Sequence, residues 1–520
     1  MQSKEVLAPF NALPMNIRTL FFLSLILNAE SWIGCRHTST TLSRGRCPQA
    51  RPSYVQTSAD EIETIHGSWN ASRFGASDAW GRRPLILRKA FPSTEASHSR
   101  LPSWQEILEI ACCASNEDDQ DMLESLTCRL VQHRPSQLGS FTVDIGPFED
   151  AYELDELLKR NDDTIASTLV VNDVDRWIPD VSDWMDVNFD FLPRWRRDDA
   201  QVSLAARGGG IGPHVDNYDV FLVQTSGYRE WEIGLKPITV QEEFDNLVEA
   251  SQVRILNLTR MVIDTIKVPL GPGDCLYLPP RFVHCGTATS DDCVTLSVGC
   301  RAPSAADLLS KVAESLVDSD RESAVRRYSD QALFLSLSRG LTCDVKDQMK
   351  NLLLDLVNDF IEDNQAWDDL IGKLITSPNR PVFDYPTPLY ELDPSWKSSL
   401  GLWGCPDKTL DAILAGHGEL RRAEGVSFAW SVSANNQTVH GKLYAQGRVF
   451  HLQGEESQPW VEILLDRIAN GLPINQNWLN STVPHNSIHE PTRNFLLELL
   501  NEGFLYGDEV MDPIKIEILT

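Results

Sequence analysis

Hydrophobic and polar positions along the chain follow two different periods, and the period changes close to residue 304. Before that point, short apolar runs alternate with polar residues at a period of two, which is typical of β-strands; residues 200–206 are one such run. After it, apolar residues recur at spacings of three and four, which predicts helices over residues 305–316, 325–337 and 345–360.

Other stretches complete the division of the chain. Residues 60–150 begin the folded protein with a predicted strand between prolines, a helix over 104–114 and a strand over 141–148. Residues 375–425 contain many prolines and are expected to be irregular. From about residue 425 the pattern returns to short strands and helices.

The first 59 residues differ from the rest of the chain. Residues 20–27 form an apolar run that is too short to span a bilayer but has the length of a signal-peptide core. Residues 31–59 contain no Asp or Glu, and their arginines lie among Ser and Thr, as in transit peptides. We expect a targeting presequence, or else a disordered tail. An apolar run followed by an acid-free segment favours import into a plastid, and a mitochondrion is the alternative. If no presequence exists, a nuclear or cytosolic location is expected.

Composition and charge narrow the choice of function. The 520 residues are 42% hydrophobic and carry a net charge of −28, which fits a soluble protein of several domains. No broad basic face is expected, which argues against direct nucleic-acid binding, whereas a basic protein substrate is compatible with this charge. The eleven cysteines show no Cys-x-x-Cys spacing, so neither a disulfide scaffold nor a zinc site is predicted.

The candidate chemistry lies between residues 208 and 301. Residues 208–216 read Gly-Gly-Gly-Ile-Gly-Pro-His-Val-Asp. In an extended strand the side chains of His214 and Asp216 point to one face and Val215 to the other. His284 lies on a later predicted strand, after a Pro-Pro step. Two histidines and one carboxylate on one face of a metal are typical of non-haem Fe(II) oxygenases, so these three residues are the predicted metal ligands and catalytic centre.

The spacing of these motifs resembles that of JmjC domains, the cupin-type fold of the 2-oxoglutarate oxygenases. Gly208 followed by His214 and Asp216 resembles the first cupin motif, and Gly273, Pro279 and His284 resemble the second. The position four residues after His284 is an alanine rather than a third ligand, which favours the two-histidine, one-carboxylate arrangement. The resemblance implies Fe(II) as the metal, with 2-oxoglutarate and O2 as cosubstrates.

Arg229 extends the resemblance to one branch of this family. It lies in a strand–turn–strand pattern after the His-x-Asp motif, at a spacing that resembles the bacterial-type ribosomal oxygenases that hydroxylate an arginine of protein uL16. A guanidinium pairs bidentately with a carboxylate and stays charged, so Arg229 is the expected partner of the distal carboxylate of 2-oxoglutarate. Ser203 is a second candidate for the cosubstrate pocket. Tyr218 and Asp219 are candidates for substrate binding, although Asp219 is equally compatible with a strand surface.

The resemblance also implies a fold, a division into domains and partners. It predicts a mainly β plus α protein, in which a JmjC double-stranded β-helix spans residues 60–303. A helical dimerisation region with an irregular linker (304–424) and a winged-helix-like domain (425–520) follow. The implied partners are a basic ribosomal protein and a second copy of the chain, and no membrane span is expected in the mature protein.

Three functions are compatible with these motifs. The first is hydroxylation of a ribosomal protein, with an arginine of an organellar uL16-type protein preferred. The second is demethylation of lysine in a histone or another protein, which uses the same iron chemistry. The third is a non-catalytic cupin-fold binding protein, against which the complete ligand set and Arg229 argue.

Overall fold

The computed structural model of the chain describes residues 62–91, 101–112, 128–137, 139–160, 164–248, 253–317, 321–329, 341–377, 405–434, 438–455, 459–484 and 488–508. The predicted presequence lies outside these residues. Within them, no helix combines the length and the apolar character that a bilayer-crossing helix requires.

Twelve strands make up the sheets of the first 300 residues in the described part of the chain. They are β1 (Thr64–His66), β2 (Leu85–Arg88), β3 (Cys128–His133), β4 (Thr142–Ile145), β5 (Ala166–Val171), β6 (Arg197–Ala205), β7 (Asp219–Ser226), β8 (Arg229–Pro237), β9 (Thr265–Leu270), β10 (Cys275–Leu278), β11 (Phe282–Ala288) and β12 (Cys293–Cys300). Nine of them form a large sheet in the order β1-β2-β10-β7-β12-β6-β5-β3-β4, and β11-β8-β9 form a small one.

The two sheets pack face to face. Trp231 and Ile233 of β8 share an apolar cluster with Val220 and Leu222 of β7 and with Leu276 of β10. Each strand directs alternate residues to this inner side, because successive side chains of a strand point to opposite faces. Two packed sheets of this kind are the double-stranded β-helix that the resemblance implies, and the predicted JmjC-type fold of mainly β plus α structure is confirmed.

Helices cover the other face of the large sheet. They are α1 (Ala71–Ala76), α2 (Trp104–Cys112), α3 (Ala151–Lys159), α4 (Val174–Trp177) and α5 (Pro179–Asn188), and α6 (Val240–Asp245) follows β8. Ile107, Leu108 and Leu154 are buried in the main core together with Phe221 of β7. The side chain of Asp150 accepts a hydrogen bond from the backbone N–H of Glu153 and thereby fixes the start of α3.

The region after β12 is helical, as its apolar periodicity predicts. It contains α7 (Ala305–Val317), α8 (Glu322–Val325), α9 (Cys343–Glu362) and α10 (Asn364–Thr376). The helix predicted over 325–337 is wrong at its start, because α8 ends at Val325 and the backbone turns extended at Arg326; residues 330–340 lie outside the described part. Helix α10 was not predicted, although Leu370 and Leu374 on it are buried.

The C-terminal part has a core of its own. Its elements are α11 (Pro406–Leu414), β13 (Glu419–Arg422), β14 (Phe428–Ala434), β15 (Thr438–Ala445), β16 (Arg448–Glu455), α12 (Trp460–Ala469), α13 (Gln476–Thr482), a π-helical turn (Ile488–Thr492), α14 (Arg493–Asn501) and β17 (Leu505–Asp508). Strands β14-β15-β16 form one sheet and β13 pairs with β17. Leu410 and Leu420 belong to the same buried cluster as Leu464 and Leu499, so this core begins ahead of residue 425.

Candidate active site

The two predicted histidine ligands are joined through their backbones. Each N–H of His214 and His284 donates to the carbonyl oxygen of the other residue at 3.0 Å. The Nδ1 atom of His214 lies 2.9 Å from the carbonyl oxygen of Gly212, and that of His284 lies 3.0 Å from the oxygen of Phe282. A proton on each Nδ1 satisfies these contacts and leaves each Nε2 lone pair available to a metal.

Asp216 completes the predicted ligand set. One ligand atom from each of His214, Asp216 and His284 lies within 4.8 Å of the others, and His284 Nε2 is 3.5 Å from a carboxylate oxygen of Asp216. The prediction of a regular strand here is wrong, because the segment pairs with β11 only at His214. The alternation of side chains nevertheless holds, since Val215 packs against the separate apolar cluster that contains Val283.

Burial keeps the second histidine neutral. His284 is 2% exposed, and the pKa of its imidazole is lowered to about 4, first by burial and then by the neighbouring His214, while Asp216 acts in the opposite direction. At neutral pH the ring is therefore uncharged, which is the form that binds a metal. The arrangement fits a divalent metal held on one face by two imidazoles and a carboxylate.

The glycine-rich segment ahead of His214 allows a close approach of two backbones. A Cβ atom on Gly210 would collide with the carbonyl oxygen of Gly286 on β11, so no other residue fits there without a shift of the chain. This approach brings the His214 segment against the strand that carries His284.

The three ligands line a pocket between the sheets with a volume of about 180 Å³. Ser203 of β6 and Tyr218 also line it, and their predicted roles stay predictions. Alternate residues of β6 and β12 form much of the polar lining: Asp199, Gln201, Ser203, Thr295, Ser297 and Gly299.

Arg229 lies in this pocket as a buried cation. It is 3% exposed, its Nε donates to the sulfur of Cys293 at 3.3 Å, and its guanidinium carbon lies 5.7 Å from the ring centre of Trp231. Its Nη2 has no hydrogen-bond partner. A buried guanidinium with an unused N–H group can pair with a carboxylate, which is the kind of partner predicted for Arg229.

The structure corrects the candidate role of Asp219. This residue is on the β7 face that carries Phe221, opposite the pocket-lining Val220, and is 5% exposed. Its carboxylate accepts a hydrogen bond from the hydroxyl of Tyr277 at 2.6 Å and lies 3.5 Å from Arg196. Asp219 is therefore a structural residue of the core side of the sheet, and burial raises its pKa.

Two charged residues that line the pocket were not among the site residues predicted from the sequence. Asp199 lines the pocket from β6, and Arg129 lines it from β3. Asp199 and Ser203 are four residues apart on β6 and therefore point to the same face, so the presence of Ser203 among the candidates was a signal for Asp199. No such signal exists for Arg129, because β3 reaches the pocket only through its pairing with β5, which pairs in turn with β6.

A wider groove of about 700 Å³ adjoins the pocket and shares Arg129, Ile211 and His214 with it. Its lining is mostly apolar and includes Val143 and Ile145 of β4. Ile145 is 73% exposed, although it is a large aliphatic residue. The groove reaches the metal site at His214, which lines both cavities.

Comparison with known proteins places this geometry in context. A family model described as the JmjC domain matches residues 185–308. The chain is 31% identical over 317 residues to the ribosomal protein uL16 3-hydroxylase of Escherichia coli (strain K12), a match that covers 60% of this chain and 74% of the relative. It is 30% identical over 303 residues to the probable ribosomal oxygenase of Haemophilus influenzae, covering 58% of this chain and 66% of that relative.

Solved structures agree with the fold. The structure of the ribosomal oxygenase YcfD from Escherichia coli in complex with cobalt and 2-oxoglutarate matches with a TM-score of 0.58 at 24% sequence identity. The match covers 84% of this chain and 98% of that chain. It therefore includes the helical and C-terminal parts as well as the two sheets.

Proposed function

The chain belongs to the family of JmjC-domain ribosomal oxygenases, and we propose that it is an Fe(II)- and 2-oxoglutarate-dependent hydroxylase of a ribosomal protein. One observation carries this proposal: the metal-ligand cluster lines the same small pocket as Arg229, whose buried guanidinium has no hydrogen-bond partner for its Nη2. Loss of 2-oxoglutarate turnover in variants of either feature tests it.

The residues divide the work as follows. His214, Asp216 and His284 would hold the Fe(II), and Arg229 would pair with the distal carboxylate of 2-oxoglutarate in the pocket that Ser203 also lines. Bound Fe(II) supplies the oxidative chemistry, in which one O2 converts 2-oxoglutarate to succinate and carbon dioxide and adds one oxygen atom to a C–H bond. The apolar walls between the sheets exclude water from this reaction.

An arginine side chain is the preferred substrate, in an organellar protein of the uL16 type. The Escherichia coli relative is named as a uL16 hydroxylase. Asp199 places a carboxylate on the pocket wall, four residues along β6 from Ser203 and therefore about 13 Å away. The pocket thus has a cation, Arg229, near one end for the anionic cosubstrate, and a carboxylate toward the other for a cationic substrate head. Mass spectrometry of arginine peptides after incubation with the protein tests this preference.

We place the backbone of the substrate in the adjoining groove. The pocket itself is too small for 2-oxoglutarate together with a peptide, whereas the groove opens beside His214. The net charge of −28 attracts a basic ribosomal segment to the protein as a whole.

The helical region supports a homodimer. Helix α9 exposes large apolar side chains on one broad side, with exposures of 49% at Met349, 61% at Leu353, 45% at Leu354 and 41% at Ile361. A second copy of the chain is the occupant we propose for this side, because two identical apolar surfaces that meet across a two-fold axis bury each other and close a dimer. Sedimentation of the wild type and of the Leu353→Glu variant measures the association.

An organelle, with the plastid preferred over the mitochondrion, is the proposed location. The support is the apolar run at residues 20–27 followed by the acid-free segment 31–59. An organelle contains ribosomes but no nucleosomes, so this location also favours a ribosomal substrate over a histone.

A further inference from the structure

The buried charge of Arg229 is held by neutral groups. Among the described residues no salt bridge includes its guanidinium, and its Nη2 has no hydrogen-bond partner, although only 3% of the residue is exposed. A buried cation without a counter-charge is costly, and that cost is offset only when a ligand brings the missing anion. The groups that hold Arg229 before the ligand arrives must therefore orient it without neutralising it.

Cys293, the first residue of β12, supplies the contact. Its sulfur accepts from Arg229 Nε at 3.3 Å and from Nε2 of Gln224 at 3.4 Å. Cys293 and Gln224 are both completely buried. A thiol is a weak, uncharged acceptor, so it fixes the Nε edge of the guanidinium and leaves the full positive charge for the pocket.

Gln224 in turn has a fixed orientation. Its Oε1 accepts a hydrogen bond from the hydroxyl of Thr295 at 2.9 Å, and its Nε2 also donates to the carbonyl oxygen of Ser226 at 2.6 Å. The amide can therefore present only N–H groups toward Cys293. The hydrogen bonds thus run from the pocket-lining Thr295 through Gln224 and Cys293 to Arg229, and each residue fixes the orientation of the next.

We propose that Cys293, held in place by Gln224, is a positioning residue that aims the Nη2 edge of Arg229 at the distal carboxylate of 2-oxoglutarate. The inference rests on the proposed function, since it assigns the cause of the cosubstrate affinity in that same site. It explains why a cysteine occupies a position where a carboxylate would pair more strongly with Arg229: such a carboxylate would compete with the cosubstrate.

The test measures binding rather than turnover. The full chain is loaded with Mn(II) in place of Fe(II), and 2-oxoglutarate affinity is measured by titration calorimetry. Cys293→Ala should weaken the affinity about tenfold, because one hydrogen bond to the charged group is lost. Cys293→Ser keeps an acceptor and should fall between the wild type and Cys293→Ala. Cys293→Asp should weaken binding more than Cys293→Ala, since its carboxylate neutralises Arg229.

Cys300→Ala is the matched control. Cys300 is also fully buried and lies on β12, but it packs in the main core outside the pocket. The Cys300→Ala substitution should leave the affinity for 2-oxoglutarate unchanged. In the Arg229→Lys protein, the further change Cys293→Ala should lower the 2-oxoglutarate affinity very little. If Cys293→Ala acted only by disturbing the fold, its loss of affinity would add to that of Arg229→Lys.

The outcomes distinguish a failure of the role of Cys293 from a failure of the proposed function. Equal affinities in the wild type and Cys293→Ala, or equal losses in Cys293→Ala and Cys300→Ala, would overturn the role of Cys293 and leave the proposed function intact. Stronger binding by Cys293→Asp than by Cys293→Ala would also overturn it. A Mn(II)-loaded wild type that binds no 2-oxoglutarate would overturn both.

Discussion

His214 and His284 lie opposite each other and exchange both backbone hydrogen bonds at 3.0 Å. The pair joins the irregular segment after Gly210 to strand β11 at a single bridge. Since a neighbouring backbone carbonyl lies within 3.0 Å of each Nδ1, the two rings are fixed with their Nε2 atoms available to a metal. The ligand geometry is thus set by the backbone before a metal binds.

Removal of a ligand should abolish metal binding while the fold persists. We expect Asp216→Ala to lower Fe(II) affinity more than about 100-fold, beyond the effect usual for groups that only support a ligand, because Asp216 is the anionic member of the set. His214→Ala should act in the same direction. Metal content and 2-oxoglutarate turnover measure the effect, and thermal unfolding checks the fold.

Glu230→Gln is the control for Asp216→Ala, because it also removes a carboxylate and should leave metal content and turnover unchanged. Glu230 lies on β8 outside the pocket and pairs with Lys267 at the surface. Full turnover by both the Asp216→Ala and the His214→Ala proteins would remove these residues from the metal site.

Arg229 should determine the affinity for the cosubstrate. Arg229→Ala is expected to raise the KM for 2-oxoglutarate by the equivalent of about 2–5 kcal/mol, because a buried charge pair is lost. Arg229→Lys should recover only part, since an ammonium lacks the planar pair of N–H groups. Steady-state kinetics over a range of 2-oxoglutarate concentrations measure both.

Arg129 supplies the comparison, since it is the other arginine on the pocket wall among the described residues. An unchanged KM in Arg229→Ala together with a raised KM in Arg129→Ala would transfer the role to Arg129.

Asp219 should contribute to stability rather than to substrate binding. Asp219→Ala leaves the buried hydroxyl of Tyr277 without its acceptor and Arg196 without its nearby carboxylate. We expect the free energy of unfolding to fall by about 3 kcal/mol, measured by urea denaturation. Tyr277→Phe removes the same hydrogen bond, so the double variant should lose less than the sum of the two single variants. A selective rise in the KM for the peptide, with unchanged stability, would restore a substrate role.

The parts of the site that sequence could predict are those that depend on local alternation and motif spacing. His214, Asp216 and His284 were found in this way, and the same alternation places Tyr218 on the pocket side and Asp219 on the core side. Its consistent use would have avoided the error at Asp219. The pocket face of β7 continues through Val220.

The parts that could not be predicted depend on long-range pairing. Arg129 enters the pocket because β3 is added to the sheet beside β5, and no local pattern encodes that order. Cys293 contacts Arg229 because the start of β12 lies beside the start of β8, 64 residues away in sequence numbering. Helix α10 is a different case, because its signals are local: Asp363 caps it and Leu370 and Leu374 have helical spacing, so the sequence could have predicted it.

The first 59 residues should direct the protein to an organelle and then be removed. Fused to a fluorescent protein, this segment should give plastid fluorescence, because it combines an apolar run with an acid-free, arginine-containing stretch. Residues 60–520 fused in the same way are the control and should stay outside the organelle. Cytosolic or nuclear fluorescence of the first fusion would contradict the prediction and favour a demethylase.

The preference for arginine depends on a carboxylate at the substrate end of the pocket. Asp199 and Tyr218 line this part of the wall together with Gly299. A Cβ atom on Gly299 would lie 3.4 Å from the ring of Tyr218 and 3.7 Å from a carboxylate oxygen of Asp199, so the three residues are close neighbours. An aromatic ring beside a carboxylate suits a planar guanidinium, which can stack on the ring and donate to the oxygen atoms.

We therefore expect the protein, with Fe(II) and 2-oxoglutarate, to add one oxygen to an arginine peptide of a uL16-type protein, detected by mass spectrometry. Asp199→Ala should raise the KM for this peptide roughly tenfold or more, because a charge-assisted hydrogen bond is lost, and leave 2-oxoglutarate affinity unchanged. Glu230→Gln, which removes a carboxylate outside the pocket, is the control. Oxygen addition only to a ribosomal histidine peptide, or demethylation of a methyl-lysine peptide, would show that this carboxylate serves a different substrate.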